Sequence, residues 1–204
     1  MDLEFFESIN LSPPKDKIYL RLKYSKDKTK LSQAELAKFE SYIDFALDKI
    51  NLQGSAAIIS IKEKTDSEII LEGDIVIKSN SIKKFLIDCK SVLFMGATTG
   101  SDIMKVISSG SGKKELEKSV VADAVASEVV DAALGWIADY KARILRRENR
   151  FITQQRFSAG YGDFDLSYQK VIYNVLNLAK LGVQLKESYI LKPEKTVTAL
   201  CGIK

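Results

Sequence analysis

The 204-residue sequence contains no histidine. This absence excludes catalytic triads and dyads that use imidazole as the base, and it excludes imidazole as a metal ligand. It also removes the side chain whose unperturbed pKa best suits proton transfer near neutral pH. Hydrolases and metalloenzymes that depend on histidine are therefore ruled out.

Cysteines are scarce, and long apolar segments are missing. The two cysteines, Cys89 and Cys201, lack the spacing of a metal site and are expected to stay reduced in a cytoplasm. No segment approaches the roughly 20 apolar residues that span a bilayer. The first residues include Asp2, Glu4 and Glu7 rather than the basic and apolar regions of a secretory signal. These features predict a soluble, cytoplasmic protein that does not bind membranes.

The charge balance is nearly even, with 31 basic and 27 acidic residues and a net charge of +4. Charges of the two signs are interleaved, and the basic–aromatic patterns of nucleic-acid-binding modules are missing. A nucleic-acid partner is therefore not expected. With 46% hydrophobic residues, residues 1–204 can bury the core of one domain. Within it, the role of residues 1–80 stays open, including whether they form a subdomain.

Hydrophobic periodicity divides the first half of the chain into short elements. Ser32 and Glu35 have the spacing of a capping box, so a helix is expected to begin there and end near Asn51. The glycine-containing segments 53–55 and 96–100 are interpreted as a break and a turn. Strands are predicted at 18–24, 56–62, 68–72, 74–78 and 92–95, and a short helix capped by Ser81 is predicted to end near residue 87.

Helices dominate the second half of the chain. They are predicted at 101–109, at about 113–147 after a break at 110–112, and at 165–180 before a stop at Gly182. In the last of them, Ala179 is expected to face inward. Two final strands, at 189–191 and 196–200, flank a turn at Pro193. Because strands and helices do not alternate as βαβ units, the predicted fold class is α+β, with a mainly antiparallel sheet packed against several helices.

The segment from Arg156 to Phe164, RFSAGYGDF, has the composition of a ligand-binding loop. An arginine can hold a carboxylate through two parallel hydrogen bonds. Gly160 and Gly162 permit positive φ and let the backbone approach a ligand closely, and Tyr161 between them offers a flat apolar ring. The alternative interpretation is a glycine-rich surface turn that precedes a helix.

The long predicted helix carries a second candidate feature. Asp123, Ser127 and Asp131 are spaced four residues apart and therefore share one face of that helix. Alanines and Gly135 surround them, and such small residues allow a ligand or another segment to come close. The alternative is an acidic stripe that faces solvent.

Basic residues are concentrated near the C-terminal end of the same helix. Cations there complement the negative end of the helix dipole, which is the explanation we favour. The alternative is a docking patch for an acidic partner. The residues are Lys141, Arg143, Arg146, Arg147 and Arg150.

The segment RFSAGYGDFDLSYQ, with the later ESYILKPEKTVTALCGI, resembles the S-adenosylmethionine-binding activation domain of vitamin B12-dependent methionine synthase. That family has an Arg-x-x-x-Gly-Tyr loop, then a helix, then a hairpin of the form ES…P…SVS…G. The resemblance covers roughly the last fifty residues, with a weaker match in SVLFMGATTG. Ala159 and Gly162 stand where family members often have proline, and Thr196 and Thr198 replace serines of the hairpin.

This resemblance implies a binding site for S-adenosylmethionine. In the family, the arginine and the Gly-Tyr backbone of the matching loop hold the cofactor, which assigns Arg156 to its carboxylate. Asp131 falls where the family has a glutamate near the methionyl amino group, with Glu128 as the alternative if the alignment is shifted. The implied cofactor-binding residues are Arg156, Ser158, Ala159, Gly160, Tyr161, Gly162 and Asp131.

The resemblance also implies a function in methionine biosynthesis. The chain would present the methyl group of S-adenosylmethionine for reductive remethylation of cob(II)alamin in a partner methionine synthase. The sequence has no Asp-x-His-x-x-Gly motif, so cobalamin would be held by the partner. A flavodoxin-like or other donor would supply the electron.

Because that chemistry occurs at the partner's cobalt, no catalytic residue is expected in this chain. It stays open whether the chain alone is an enzyme or a component of one. Two alternatives to this function are an activator of another corrinoid methyltransferase and a non-catalytic binding protein that retains the fold.

Overall fold

Antiparallel strands and six α-helices make up the computed structural model, which describes residues 2–24, 32–109 and 112–204. The strands are β1 (Asp2–Phe6), β2 (Gln53–Lys64), β3 (Ile69–Leu71), β4 (Ile75–Ile77), β5 (Ser91–Thr98), β6 (Gln184–Leu185), β7 (Leu191–Lys192) and β8 (Thr196–Ile203). The helices are α1 (Lys15–Arg21), α2 (Gln33–Leu47), α3 (Asn80–Phe85), α4 (Asp102–Ser108), α5 (Lys113–Arg146) and α6 (Tyr168–Val175), followed by a 3-10 helix, Leu178–Leu181. The predicted α+β class is confirmed.

Six of the strands form one sheet with the order β4-β3-β2-β5-β8, and β1 pairs with the first half of β2. All of these pairings are antiparallel. β5 lies between two long neighbours, since Phe94 is opposite Ala57 of β2 on one side and Leu200 of β8 on the other. β6 and β7 form a separate two-stranded ribbon.

The sheet is covered on both faces, which explains why all eight residues of β5 are buried. Successive side chains of a strand point to opposite faces. Leu93 and Met95 accordingly belong to a core that includes residues of α1, α2, α4 and α5. Val92 and Phe94 belong to a second core that includes residues of α3 and α6.

The strand predicted at residues 18–24 is wrong, because the helix α1 extends into this segment as far as Arg21. Alternation over seven residues is too short to separate a strand from a helix. In the structure, Ile18 and Tyr19 are adjacent and both buried, whereas Leu20 is 73% exposed. Leu22, four residues after Ile18, packs against the same core. This is the spacing of a helix face rather than a strand face.

Of the two helix caps predicted at Ser32 and Ser81, the structure confirms the first and not the second. The capping box before α2 is confirmed: Ser32 Oγ accepts from the Glu35 amide at 3.3 Å, and the Ser32 amide donates to Glu35 Oε2 at 2.8 Å. The cap predicted at Ser81 is wrong. The cap of α3 is Ser79, whose hydroxyl accepts from the Ile82 amide at 3.1 Å. The helix therefore begins earlier and places Ser81 in its first turn.

Two glycine segments that were expected to interrupt the chain lie mainly inside strands. Gly54 belongs to β2 and Gly96 to β5, and the turn predicted at 96–100 begins only after Thr98. A Cβ on Gly54 would lie 2.8 Å from both the Gly96 carbonyl oxygen and Ile137 Cδ1. Glycine at position 54 therefore allows the sheet and α5 to approach closely.

The long helix α5 spans 34 residues and agrees with the range predicted for it. Of the break predicted before it, residues 110 and 111 lie outside the described ranges, and Gly112 caps the helix with a φ of 95°. Val125 and Ile137 are fully buried against the sheet. Within the described residues, no helix has the length and apolar content needed to cross a membrane.

The helix predicted at 165–180 is shorter than expected. Asp165 accepts a hydrogen bond from the Ser167 amide at 2.8 Å, a local turn that delays the start of α6 to Tyr168. Asn177 adopts a left-handed conformation with a φ of 46° and separates α6 from the 3-10 helix. This break turns Leu178 inward and leaves Ala179 exposed, contrary to the prediction. Gly182 ends the element, as predicted.

The two final strands do not form the expected hairpin. β7 begins at Leu191 and pairs with β6, with Leu185 opposite Leu191. β8 pairs instead with β5 along its whole length, from Thr196 to Ile203. Tyr189 lies outside the strand with a φ of 62°. The chain from 186 to 190 is therefore a tight turn beside the sheet.

Candidate ligand-binding site

A cleft of about 570 Å³ opens between α5, β8, the loop after α5 and the turn before β7. Its size lies within the range of pockets that hold small molecules. Its lining combines apolar side chains such as Leu134 and Leu166 with a few polar ones. The polar lining includes Asp131, Arg156, Ser158, Tyr161, Gln169 and Thr198.

The loop that follows α5 is attached to the edge of β8. The Phe157 amide donates to the Leu200 carbonyl at 2.9 Å, and the Leu200 amide donates to the Phe157 carbonyl at 2.8 Å. One residue later, Ser158 Oγ donates to the Thr198 carbonyl at 2.8 Å. These bonds hold the loop against the last strand of the sheet and thereby fix Arg156 at the entrance to the cleft.

The two glycines of the loop shape its turn. Gly160 and Gly162 have φ values of 92° and 58°, which other residues rarely adopt. The Gly160 amide donates to the Phe164 carbonyl at 2.7 Å, which closes the turn. Neither glycine belongs to the cleft lining, whereas Tyr161 between them lies at its mouth and is 69% exposed.

Asp163 anchors the far end of the loop. Its carboxylate accepts hydrogen bonds from Ser79 Oγ at 2.7 Å, from the Asn80 amide at 2.7 Å and from the Ser81 amide at 3.0 Å. These bonds, that from Ser79 first, hold the pKa of Asp163 well below its usual range. The acid of the sequence motif is therefore a structural anchor on the first turn of α3.

Arg156 and Asp131 are brought together in the cleft as the sequence suggested. Arg156 Nη2 donates to Asp131 Oδ1 at 2.9 Å, and Nη1 lies 3.4 Å from the Asp131 carbonyl oxygen. The two side chains are 31% and 47% exposed. A cation and an anion side by side match the opposite charges of an amino-acid group, with its carboxylate and its ammonium.

Glu128, the alternative to Asp131, lies elsewhere. Its carboxylate accepts a hydrogen bond from Arg21 of α1 at 3.0 Å. It is not among the residues that line the cleft. Between the two acids, Asp131 is the one positioned to meet a ligand in this cleft.

The other two residues of the predicted stripe on α5, Asp123 and Ser127, contact a lysine that the sequence did not indicate. Lys195 Nζ lies 2.7 Å from Asp123 Oδ1 and donates to Ser127 Oγ at 2.8 Å. The lysine side chain is 16% exposed. This contact fastens the start of β8 to α5, so only Asp131 of the three stripe residues faces the cleft.

Gln169, in the first turn of α6, was missed by sequence reasoning. It is 6% exposed and lines the cleft. Its Oε1 accepts from Thr198 Oγ1 at 3.0 Å, while its Nε2 has no hydrogen-bond partner among the described residues. A glutamine near the start of a helix usually faces solvent, so neither its residue type nor its position indicates that this one is buried.

The basic residues near the end of α5 do not form one group. Lys141 is buried, with its Nζ 2.6 Å from Glu4 Oε2, and it ties β1 to the helix. Arg150 donates to Glu148 at 3.1 Å and lies 3.3 Å from Ser91 Oγ. Arg143 and Arg146, in the last turn, remain on the surface, where they complement the helix dipole.

The described residues include no group of three histidine, cysteine, aspartate or glutamate side chains able to hold a metal ion. Cys89 and Cys201 are free and buried. Burial raises the pKa of the Cys201 thiol to about 11. These cysteines are part of the packing and are poor nucleophiles.

Comparison with known proteins gives a result at the level of fold. No protein-family model matches the sequence, and no curated protein matches it. Among solved structures, the chain is similar to the MetH reactivation domain bound to AdoHcy, with a TM-score of 0.68. The chain has the fold of this reactivation domain.

The match covers 99% of this chain and 78% of the other, at 12% sequence identity. It therefore includes described residues of the first eighty, where the sequence carries no diagnostic motif. At this identity the likeness establishes the fold alone.

Proposed function

We propose that the chain binds S-adenosylmethionine in the cleft and presents its methyl group for reductive remethylation of cob(II)alamin in a partner methionine synthase. The observation that carries this proposal is the Arg156–Asp131 pair, with its 2.9 Å contact, in a cleft of suitable volume. Two further facts support it: the fold, and the AdoHcy bound to the MetH reactivation domain.

The charged pair suits the amino-acid end of such a ligand. Arg156 can hold the carboxylate through its planar guanidinium group, and Asp131 can accept from the ammonium. Both side chains are partly exposed, so they can exchange their mutual contact for contacts to a ligand. Ser158, Ala159 and the ring of Tyr161, which line the cleft, would complete the site at its mouth, with Gly160 and Gly162 holding the loop in its turn.

The part of this chain in the reaction would be positional. When bound, S-adenosylmethionine would supply an electrophilic methyl group to the partner's cobalamin, once one electron has reduced it from cob(II)alamin to cob(I)alamin, and S-adenosylhomocysteine would be left as the product. No general base or protein nucleophile is needed for such a transfer. Holding the methyl group at a fixed place and orientation is the contribution that a domain of this kind makes. The reducing electron would come from a flavodoxin-like or other donor.

Calorimetric titration with S-adenosylmethionine and S-adenosylhomocysteine tests the binding step. Arg156→Ala should weaken both ligands by roughly 10- to 100-fold, because a charge-assisted hydrogen bond contributes about 1.5–3 kcal/mol. Arg143→Ala is the matched control, since Arg143 is an exposed arginine at the end of α5. Absence of binding to the wild-type chain, or equal affinity in Arg156→Ala, would contradict the proposal.

A further inference from the structure

The cleft wall contains a polar group whose hydrogen bonding is incomplete. Only 6% of the Gln169 surface is exposed, and its Nε2 has no hydrogen-bond partner among the described residues. A buried donor without a partner is destabilising. Such a cost is expected to be offset when a bound molecule supplies the missing acceptor.

Thr198 fixes the amide in place. Its Oγ1 donates to Gln169 Oε1 at 3.0 Å, from the middle of β8. If the amide were turned over, Nε2 would face Thr198 and Oε1 would be left without a partner. One end of the amide therefore lacks a hydrogen bond in either orientation. α6 and β8 hold this pair, so the free end cannot swing out to solvent without disturbing the core.

The chemistry of the group indicates which part of a ligand it meets. Gln169 is neutral. The charged side chains of the cleft lining are the exposed Glu194 and the ion pair of Arg156 and Asp131. Those two residues suit the charged amino-acid end of the proposed ligand. A neutral buried amide suits a neutral acceptor, such as a ring nitrogen or a sugar oxygen.

We propose that Gln169 determines specificity in the cleft by donating a hydrogen bond from Nε2 to the neutral, nucleoside end of the ligand. This inference rests on the proposed function and adds a second anchor to the one at Arg156. A site that hydrogen-bonds its ligand through a buried group discriminates strongly against molecules that leave this group unpaired. Arg156 and Gln169 would thus each bind one end of the ligand.

The test uses two ligands that share the nucleoside. S-adenosylhomocysteine carries both ends, whereas 5′-methylthioadenosine lacks the amino-acid end. Gln169→Leu should weaken both by a similar factor, about tenfold, because a neutral hydrogen bond is lost. Arg156→Ala should weaken S-adenosylhomocysteine alone. Gln184→Leu, an exposed glutamine in β6, is the matched control and should change neither affinity.

A double variant tests the same inference if Gln169→Leu alone fails to fold. Gln169→Leu leaves the Thr198 hydroxyl without its partner, so the double variant Gln169→Leu/Thr198→Val removes both members of the pair. Replacing both partners with apolar groups of similar shape is nearly neutral for stability. The double variant should melt close to the wild type and show the same loss of affinity for both ligands.

The outcomes separate this inference from the proposed function. Failure of the wild type to bind S-adenosylhomocysteine contradicts the proposed function itself. Binding by the wild type with unchanged affinities in both Gln169 variants overturns only the inference. A loss confined to S-adenosylhomocysteine, or no binding of 5′-methylthioadenosine to the wild type, also overturns it, because the nucleoside would then have no anchor of its own.

Discussion

Arg156 Nη2 lies 2.9 Å from Asp131 Oδ1, although the two residues are 25 positions apart in the sequence. The contact joins the loop after α5 to the middle of α5 itself. Each residue neutralises the other in the absence of a ligand. A ligand with both a carboxylate and an ammonium can replace this contact without leaving a charge unpaired, whereas a ligand with one charge cannot.

The two acids considered for the ammonium can be distinguished by conservative substitution. Asp131→Asn should weaken S-adenosylhomocysteine roughly tenfold, because an ionic partner of the ammonium is lost. Glu128→Gln is the matched control and should leave the affinity unchanged, since Glu128 pairs with Arg21. Isothermal titration of both variants checks this. A larger effect of Glu128→Gln would contradict the placement of the ammonium beside Asp131.

The anchor at Asp163 gives a prediction for pH. Its folded-state pKa is depressed by hydrogen bonds, so its contribution to stability is present above the unfolded pKa of about 3.9. That contribution is lost as the pH falls through the lower, folded-state pKa. Asp163→Asn should therefore be clearly less stable than the wild type at neutral pH, and the difference should shrink in strong acid.

Urea unfolding at several pH values measures the effect of Asp163→Asn. Asp139→Asn, an exposed aspartate of α5, serves as the control and should have little effect. Asp163→Asn should also weaken ligand binding, because the loop loses its attachment to α3. A stability difference that stays constant into strong acid would contradict the anchoring role.

Alanine substitutions at Gly54 and Gly135 test how closely α5 packs against the sheet. Gly54→Ala should destabilise the protein by about 1–3 kcal/mol, because its Cβ would lie 2.8 Å from a backbone oxygen of β5. Gly135→Ala should stabilise it by roughly 0.5–1 kcal/mol, since no described atom apart from its chain neighbours and the adjacent helix backbone lies within 4 Å of the added Cβ, and alanine favours the helix. Chemical unfolding of the two variants checks both signs. Equal effects would mean that close approach at Gly54 is not required.

The cysteines give a prediction about reactivity. Burial raises the pKa of Cys201 to about 11, so at pH 8 only about one molecule in a thousand carries its thiolate. Burial also raises the pKa of Cys89. The folded protein should therefore react very slowly with a thiol reagent, whereas both of its cysteines should react rapidly in concentrated guanidinium chloride. Fast labelling of the folded protein would show that one of them is accessible.

Those features of the site that depend on local sequence could be predicted. The residue types indicate a permanent positive charge at Arg156 and allow a positive φ at Gly160 and Gly162. The resemblance to the family, together with a position on one face of a long helix, assigned Asp131 to the site, and the structure places it beside Arg156.

Features decided by tertiary contacts could not be read in the same way. Residues 18–24 have an alternating pattern in the sequence. In the structure the adjacent Ile18 and Tyr19 are both buried, which fits a helix and not a strand with one exposed face. β6 and β7 have two residues each, too few to leave a period in the sequence. Gln169 carries no sign of burial in its type or spacing, since its environment is created by Thr198 on a distant strand.

The attachment of the loop to β8 also affects how the protein meets other chains. The outer edge of β8 would otherwise offer free backbone groups, and such edges promote pairing between molecules. Here Thr153 and Phe157 donate to the carbonyls of Gly202 and Leu200, at 2.9 Å in each case. The segment that presents Arg156 thus shields this edge from aggregation. A loop that detached fully to admit a ligand would expose the edge, so we expect ligand entry to proceed with these hydrogen bonds intact.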